Sequence, residues 1–176
     1  MNFMKRAMFI GRFQPFHNGH LKAVKDMIKK YDEVVIVIGS SLDSYTFENP
    51  FTCGERLEMI RGAFTKSELS KIATITVPDL NDNTSWVDHV LLHAPSIHSI
   101  YSNNQLVKFL FSRHGIIVKS TGNHKRDTNE GKKIRELMKS ENPEWKKHVP
   151  KNVSKFIEEI EGEKRVKLIA SKTLRV

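Results

Sequence analysis

The strongest restriction on the fold is the unbroken run of β-branched residues from Val34 to Ile38, which ends at Gly39. A strand with one face in solvent alternates apolar and polar residues. This run is apolar on both faces, which is typical of the centre of a parallel sheet. A hydrophobic segment from Ala7 to Phe13 precedes it, and a helical pattern from about Gly19 to Tyr31 lies between the two. Strand, helix and strand at this spacing predict a βαβ unit.

The same alternation continues along the chain. Further strands are expected at Ile72 to Leu80, Ile97 to Tyr101 and Ile116 to Val118, and helices at Thr52 to Ala63, Trp86 to His93 and Gln105 to His114. Such alternation predicts an α/β fold, a Rossmann-like doubly wound parallel sheet of about five strands with helices on both faces. A C-terminal helical segment is expected from about residue 123, and residues 1–176 are interpreted as a single domain.

Polar segments follow four of the predicted strands, and in open α/β sheets ligands bind beyond these carboxyl ends. The segments are Gly11 to His20, Ser40-Ser41, Asn81 to Asn83 and Ser102 to Asn104. In the first, Gly19 lies between two histidines at the start of a helix, whose unpaired N–H groups favour an anion. The first segment therefore predicts a phosphate site. Asn18 and Ser85 are the expected caps of their helices.

Composition excludes several classes of protein. No apolar run approaches the length of a membrane span, and the run after the basic N-terminus is too short for a secretory signal, so we expect a cytoplasmic protein with no membrane partner. The single cysteine, Cys53, excludes an internal disulfide and a cysteine-rich zinc site. The net charge of +9 favours anionic partners. Since glutamates interleave the basic residues near the C-terminus, phosphate-bearing small molecules are favoured over nucleic acid.

The segment Gly11-Arg12-Phe13-Gln14-Pro15-Phe16-His17-Asn18-Gly19-His20 resembles the signature of the H-x-G-H nucleotidyltransferase superfamily. The H-x-G-H part alone specifies only the superfamily. Four further segments are similar to the archaeal nicotinamide-nucleotide adenylyltransferases. They are Gly39-Ser40, Glu48 to Arg56 (E-N-P-F-T-x-G-E-R), Asn83-x-x-Trp86-Val87 and Tyr101-Ser102-x-Asn104.

The resemblance implies adenylyl transfer from ATP to nicotinamide mononucleotide (NMN), giving NAD and pyrophosphate, with Mg²⁺ carried by the ATP phosphates and no metal ligands from the protein. It also implies a homo-oligomer, for example a hexamer. The implied catalytic residues are His17, His20 and Arg135. The implied ATP-binding residues are Gly11, Arg12, Phe13, Gly19, Ser102, Asn104, Arg126, Gly131 and Lys132. The implied NMN-binding residues are Ser40, Asn83 and Trp86, with Trp86 stacking on the ring and Asn83 binding the carboxamide.

The chain departs from the family pattern at three places. Glu130 and Lys132 stand where a Ser and a Thr are expected, and Tyr45 stands where a His is expected. A carboxylate at Glu130 would repel a triphosphate unless its side chain turns away. Arg56 has two interpretations, a structural pair with Glu55 or another neighbour, and a functional cation.

Two alternatives remain open at this stage. One is a nucleotidyltransferase of the same superfamily with another phosphorylated acceptor, such as a phosphopantetheine, a flavin or a polyol phosphate. The other is a nucleotide-binding or RNA-binding protein with little catalysis, against which the intact His17 and His20 argue.

Overall fold

A five-stranded parallel sheet forms the centre of the protein. The computed structural model describes residues 4–80, 82–83, 85–122 and 130–171. The strands are β1 (Arg6–Gly11), β2 (Glu33–Ile38), β3 (Ile72–Thr76), β4 (Ser99–Tyr101) and β5 (Val118–Lys119). Their order in the sheet is β3-β2-β1-β4-β5, and all four neighbouring pairs are parallel. The predicted Rossmann-like α/β fold is confirmed.

The helices follow the predicted alternation with one addition, the short α3. They are α1 (Asn18–Met27), α2 (Cys53–Gly62), α3 (Lys66–Leu69), α4 (Trp86–His93), α5 (Gln105–Arg113), α6 (Glu130–Lys139), α7 (Lys151–Glu159) and α8 (Gly162–Ala170), with a 3₁₀ helix at Pro143–His148 between α6 and α7. The strands are shorter than the hydrophobic pattern predicts. β1 ends at Gly11 rather than Phe13, because Phe13 adopts a left-handed φ of 56° that leaves the strand.

Two separate cores cover the two faces of the sheet. Alternate residues of β1 point to opposite faces, so Ala7 and Phe9 join one cluster while Met8 and Ile10 join the other. The second cluster is completed by α4 and α5. The first is completed by α1, α2 and apolar residues of the C-terminal helices, namely Ile134, Met138, Trp145, Val153, Ile157 and Val166. The C-terminal helices therefore share the core that lies beneath α1.

One predicted helix cap is wrong, and a second occupies the N-cap position without making the capping hydrogen bond. His17, not Asn18, caps α1, and the amide of Asn18 instead donates to the Lys147 carbonyl at 2.9 Å. Ser85 makes no capping bond, because its hydroxyl donates to Asp82 Oδ2 at 3.0 Å. Asn18 therefore binds a distant carbonyl, and Ser85 binds a carboxylate three residues away, instead of the backbone N–H groups of their helices.

Candidate active site

A cavity of about 990 Å³ opens where the strands end. It is lined by every predicted site residue that the structure describes, namely Gly11, Arg12, Phe13, His17, Gly19, His20, Ser40, Asn83, Trp86, Ser102, Asn104, Gly131, Lys132 and Arg135. Arg126 lies outside the described residues. The sheet topology accounts for this convergence, since β1 and β4 are neighbours and their exit loops face each other.

His17 and His20 form a reciprocal pair at the start of α1. His17 Nδ1 accepts the His20 backbone N–H at 3.4 Å, and His20 Nδ1 accepts the His17 backbone N–H at 3.3 Å. The rings stack with centroids 3.5 Å apart. Because each Nδ1 accepts a hydrogen bond, the proton of each neutral ring is on Nε2. The capping arrangement therefore leaves two Nε2–H donors for a ligand.

The pKa values of the two histidines are consistent with neutral rings. Burial, with a smaller contribution from the charge of His148, lowers the pKa of His17 from 6.5 to about 3. Burial and the neighbouring His17 also lower the pKa of His20 well below its usual value. At neutral pH the pair therefore offers hydrogen-bond donors and adds no charge to the site.

The turn after β1 holds these rings in place. The Phe13 ring contacts the His20 ring edge-on, with centroids 4.8 Å apart. Gly11 makes room for the Phe13 ring, because a Cβ at that position would lie 3.0 Å from Phe13 Cζ and the ring would have to shift. The Gln14 side chain fixes the turn from the other side, donating to the Phe51 carbonyl at 2.8 Å and accepting the Phe51 N–H at 3.0 Å.

Arg135 reaches the same turn from α6. Its Nη1 donates to the Gln14 carbonyl at 2.8 Å, and the side chain is 7% exposed. Its buried Nε has no hydrogen-bond partner among the described residues. Burial and the nearby charge of Arg12 lower the pKa of Arg135 to about 10. A buried guanidinium with an unused donor next to a second cation is suited to an anion.

The start of α6 packs closely on the histidine turn. A Cβ at Gly131 would lie 3.3 Å from the Gln14 carbonyl oxygen and from Arg135 Nη1, so any larger residue would require these neighbours to shift by a few tenths of an ångström. Lys132 is exposed on the cavity wall. The cations of Arg12, Lys132 and Arg135 thus line the same cavity as the two histidines.

The Glu130 side chain turns towards the 3₁₀ helix and does not line the cavity. Its carboxylate binds His148 Nδ1 at 2.5 Å, and the 3₁₀ helix that carries His148 also accepts the Asn18 amide through the Lys147 carbonyl. Sequence analysis missed His148. The one sequence signal that could have indicated a partner for Glu130 is the carboxylate at a position where the family has a serine.

On the opposite side of the cavity, Ser40 is held by an aspartate that the sequence analysis also missed. Ser40 adopts a left-handed φ of 48°. Its hydroxyl donates to Asp79 Oδ2 at 2.5 Å and its N–H donates to Oδ1 at 3.3 Å. A ligand contact through the Ser40 hydroxyl would therefore compete with Asp79, which itself lines the cavity.

Trp86 is both a core residue and part of the cavity wall. It is 6% exposed and packs edge-on against Phe111, with ring centroids 6.2 Å apart. Its buried Nε1 has no hydrogen-bond partner within the described ranges. Asn83 lies on the segment that leads into α4 and lines the same part of the cavity. The two residues predicted to bind the acceptor are therefore close to each other.

Ser102 and Asn104 use their side chains to hold the chain at the end of β4. The Ser102 hydroxyl donates to the Ile10 carbonyl at 3.1 Å and accepts the Asn104 N–H at 3.2 Å. Asn104 Oδ1 caps α5, accepting from Leu106 N–H at 2.9 Å. The side-chain oxygens of both residues are occupied by backbone groups, which favours a positioning role.

The proposed pairing of Arg56 with Glu55 is wrong. Glu55 forms a two-pronged salt bridge with Arg165, at 2.7 and 2.8 Å. Arg56 is fully buried and donates to the carbonyls of Gly39 and Ser40, each at 2.9 Å. Burial lowers its pKa. Arg56 is therefore a structural residue that fixes the loop after β2.

The described residues contain neither a clustered metal site nor a membrane-spanning helix. No group of three or more His, Cys, Asp or Glu side chains in the described part of the chain is arranged to hold a metal ion. None of the helices in these ranges is long and apolar enough to cross a bilayer.

Known proteins match this chain over almost its whole length. The profile of the family described as cytidylyltransferase-like matches residues 8–172. The nicotinamide-nucleotide adenylyltransferase of Archaeoglobus fulgidus is 42% identical over 172 residues, covering 95% of this chain and 98% of that protein. The protein of the same name from Pyrococcus furiosus is 41% identical over 171 residues, covering 96% of this chain and 90% of its own length.

A solved structure also shares the fold. The bifunctional NMN adenylyltransferase/ADP ribose pyrophosphatase of Francisella tularensis matches with a TM-score of 0.67 and 23% identity over 89% of this chain. This chain spans 50% of that longer protein. At this identity the similarity concerns the fold alone.

Proposed function

The chain belongs to the cytidylyltransferase-like family, and we propose that it transfers the adenylyl group of ATP to NMN, giving NAD and pyrophosphate. The archaeal relatives carry the name of this activity at 36–42% identity over nearly the full chain. The main structural support is one cavity whose wall includes the cations Arg12, Lys132 and Arg135 as well as Asn83 and Trp86. Such an arrangement fits a triphosphate that meets a second, aromatic nucleotide.

In the proposed reaction, an oxygen of the NMN 5′-phosphate attacks the α-phosphorus of ATP. A new P–O bond forms as the bond from the α-phosphorus to the bridging oxygen breaks, and pyrophosphate leaves with that electron pair. A phosphate monoester is already a nucleophile at neutral pH, so the protein needs no covalent intermediate. Its contribution is to hold the two phosphates in line and to stabilise their charge.

The proposed roles follow from position. The Nε2–H groups of His17 and His20 donate to the phosphate oxygens. Arg135 uses its unpartnered Nε for the same phosphates, with Arg12 and Lys132 adding positive charge. Binding of the triphosphate relieves the mutual repulsion of the cations, which favours the loaded state.

Three residues are proposed to bind the acceptor. Trp86 and Asn83 bind the nicotinamide ring and its carboxamide, and Ser40 is a further proposed contact of NMN. The backbone of Gly11, Phe13 and Gly19 lines the ATP site. Asn104 and Ser102 position the loop after β4, and Arg126 stays a proposed ATP contact.

A divalent metal ion, proposed as Mg²⁺, fits a site of this chemistry. Mg²⁺ keeps several waters and binds through substrate phosphates rather than a full set of protein ligands. The cavity offers two carboxylates, Glu48 and Asp79, and a cationic region that already neutralises part of the triphosphate. The ion would supply additional charge neutralisation on the phosphates. We also propose a homo-oligomer, for example a hexamer, which sedimentation would test.

Pyrophosphate release tests the proposed function. The protein is incubated with ATP, Mg²⁺ and, separately, NMN, a phosphopantetheine, a flavin mononucleotide and a polyol phosphate. Release with NMN is the expected result. Pyrophosphate release with one of the other acceptors and not with NMN would show that NMN is not the substrate. Release with none of them, together with steeply salt-dependent binding of homopolymer RNA, would favour the binding-protein alternative.

His20→Ala tests the proposed chemistry. Loss of one donor to the transferring phosphate is expected to lower kcat by about a hundredfold or more. His93→Asn is the matched control, because His93 is an exposed histidine on α4 outside the cavity. Turnover of His20→Ala equal to that of His93→Asn would show that the histidine pair does not contact the reacting phosphates.

A further inference from the structure

The 3₁₀ helix between α6 and α7 contacts the starts of two other helices. Asn18, the first residue of α1, donates its side-chain amide to the Lys147 carbonyl at 2.9 Å. Glu130, the first residue of α6, binds His148 Nδ1 through its carboxylate at 2.5 Å. The 3₁₀ helix is itself anchored by Trp145, which is fully buried in the core beneath α1. One anchored element therefore connects the start of α1 with the start of α6.

Both of these helix starts carry groups that the proposed function assigns to the ATP phosphates. The histidine pair lies at the start of α1, and Lys132 and Arg135 lie on the first two turns of α6. The two starts are in contact, since Arg135 Nη1 donates to the Gln14 carbonyl at 2.8 Å. A hydrogen bond weakens steeply with distance, so one phosphate chain can be contacted from both helices only at a fixed separation.

Glu130 and His148 do not line the cavity themselves. Glu130 directly precedes Gly131 and Lys132, which do line it. The N–H groups of a helix's first turn have no acceptor within the helix, so this turn is the part of α6 that depends most on contacts from outside. The bond from Glu130 to His148 therefore acts on the position of the turn, and through it on the cavity.

We infer that Glu130 and His148 are positioning residues for ATP, whose pair holds the first turn of α6 where both helices can contact the same phosphate chain. This inference rests on the proposed function. A carboxylate one residue away from the cavity wall would by its charge alone repel a triphosphate. Removing the Glu130 carboxylate should therefore tighten ATP binding if only its charge matters, and weaken ATP binding if it positions α6.

Glu130→Ala and Glu130→Gln separate these two effects, because both remove the same charge while the glutamine can still form a hydrogen bond with His148. The probe is an ATP analogue with a methylene group between the α- and β-phosphorus, bound with Mg²⁺ and followed by calorimetry. The Kd is expected to rise about tenfold in Glu130→Ala and about threefold in Glu130→Gln. An unchanged or lower Kd in both variants would overturn the inference.

A second pair of substitutions tests whether the two residues act together. His148→Ala should raise the Kd of the analogue as much as Glu130→Ala does, and the double variant should be no weaker than either single variant. Additive effects would overturn the inference. His114→Ala is the matched control, because His114 also contacts a carboxylate, Asp88 at 3.6 Å, but neither residue lines the cavity. This control should bind the analogue as wild type does.

Steady-state kinetics distinguish positioning from a general loss of stability. A smaller folded fraction lowers the rate without changing either KM, whereas displacement of α6 raises the KM for ATP and leaves the KM for NMN unchanged. Unchanged KM values for both substrates in Glu130→Ala, or an equal rise in both, would overturn the inference. A wild-type protein that neither binds the analogue nor releases pyrophosphate would instead refute the proposed function.

Discussion

The buried histidine pair predicts a loss of stability in mild acid. The pKa of His17 is 6.5 in an unfolded chain and about 3 in the folded protein, where burial is the main cause. Between these values the unfolded state binds more protons than the folded state, so the free energy of unfolding falls as the pH falls from 6.5 towards 3. Above pH 6.5 both states carry a neutral ring and His17 contributes no pH dependence.

The expected size follows from the pKa difference. At about 1.4 kcal/mol per pKa unit, the full difference corresponds to about 5 kcal/mol, of which about 3 kcal/mol is realised at pH 4.5. The replacement His17→Asn isolates this contribution. Asparagine is a favourable N-cap whose carbonyl can accept the His20 N–H, but it does not titrate. Carboxylates that titrate in the same range are common to both proteins, so the comparison cancels most of their effect.

Urea unfolding of both proteins at pH 7 and pH 4.5, followed by the fluorescence of the buried Trp86 and Trp145, measures the effect. Wild type is expected to lose about 3 kcal/mol more than His17→Asn between the two pH values. His93→Asn, at an exposed histidine, should behave as wild type. Equal pH dependence in wild type and His17→Asn would refute the claim that the histidine is held neutral by burial.

Three further substitutions test the contacts around the site, each by its effect on the free energy of urea unfolding. Arg56→Lys removes the forked donors that bind two loop carbonyls and is expected to cost about 2–4 kcal/mol, and no loss of stability would contradict its structural role. Glu55→Gln breaks the two-pronged bridge to Arg165 and should cost about 1–2 kcal/mol, with Glu58→Gln on the exposed face of α2 as the control. Glu130→Gln weakens the contact with His148 and should cost about 1 kcal/mol, and an unchanged value would show that this pair does not anchor α6.

Much of the fold could be predicted from the sequence because its signals are local. The β-branched run of β2 and the alternating helices require burial on both faces of a parallel sheet. The helix expected from Thr52 is present as α2 and begins with a capping box between Thr52 and Glu55, whose partners all lie within three residues. The strand ends were less predictable, because the hydrophobic pattern continues to Phe13 although the left-handed φ of that residue takes the chain out of β1.

The candidate site, like the fold, could be predicted from the sequence only where its residues are close together in the chain. The motif around His17 and His20 is contiguous, so the sequence indicated which residues would meet a phosphate. The sequence could not indicate that Glu130 would find His148, that Ser40 would be held by Asp79, or that Arg165 would take Glu55 from Arg56.

The sequence by itself therefore determined the layers of the fold and the chemical type of the site, because hydrophobic periodicity and turn motifs act over a few neighbouring residues. Only the tertiary structure decided the protonation of the histidine pair and the partners of its buried charges. The pKa of His17 depends on burial beneath elements more than a hundred residues away, and each ion pair depends on which partner the packed helices bring within about 3 Å.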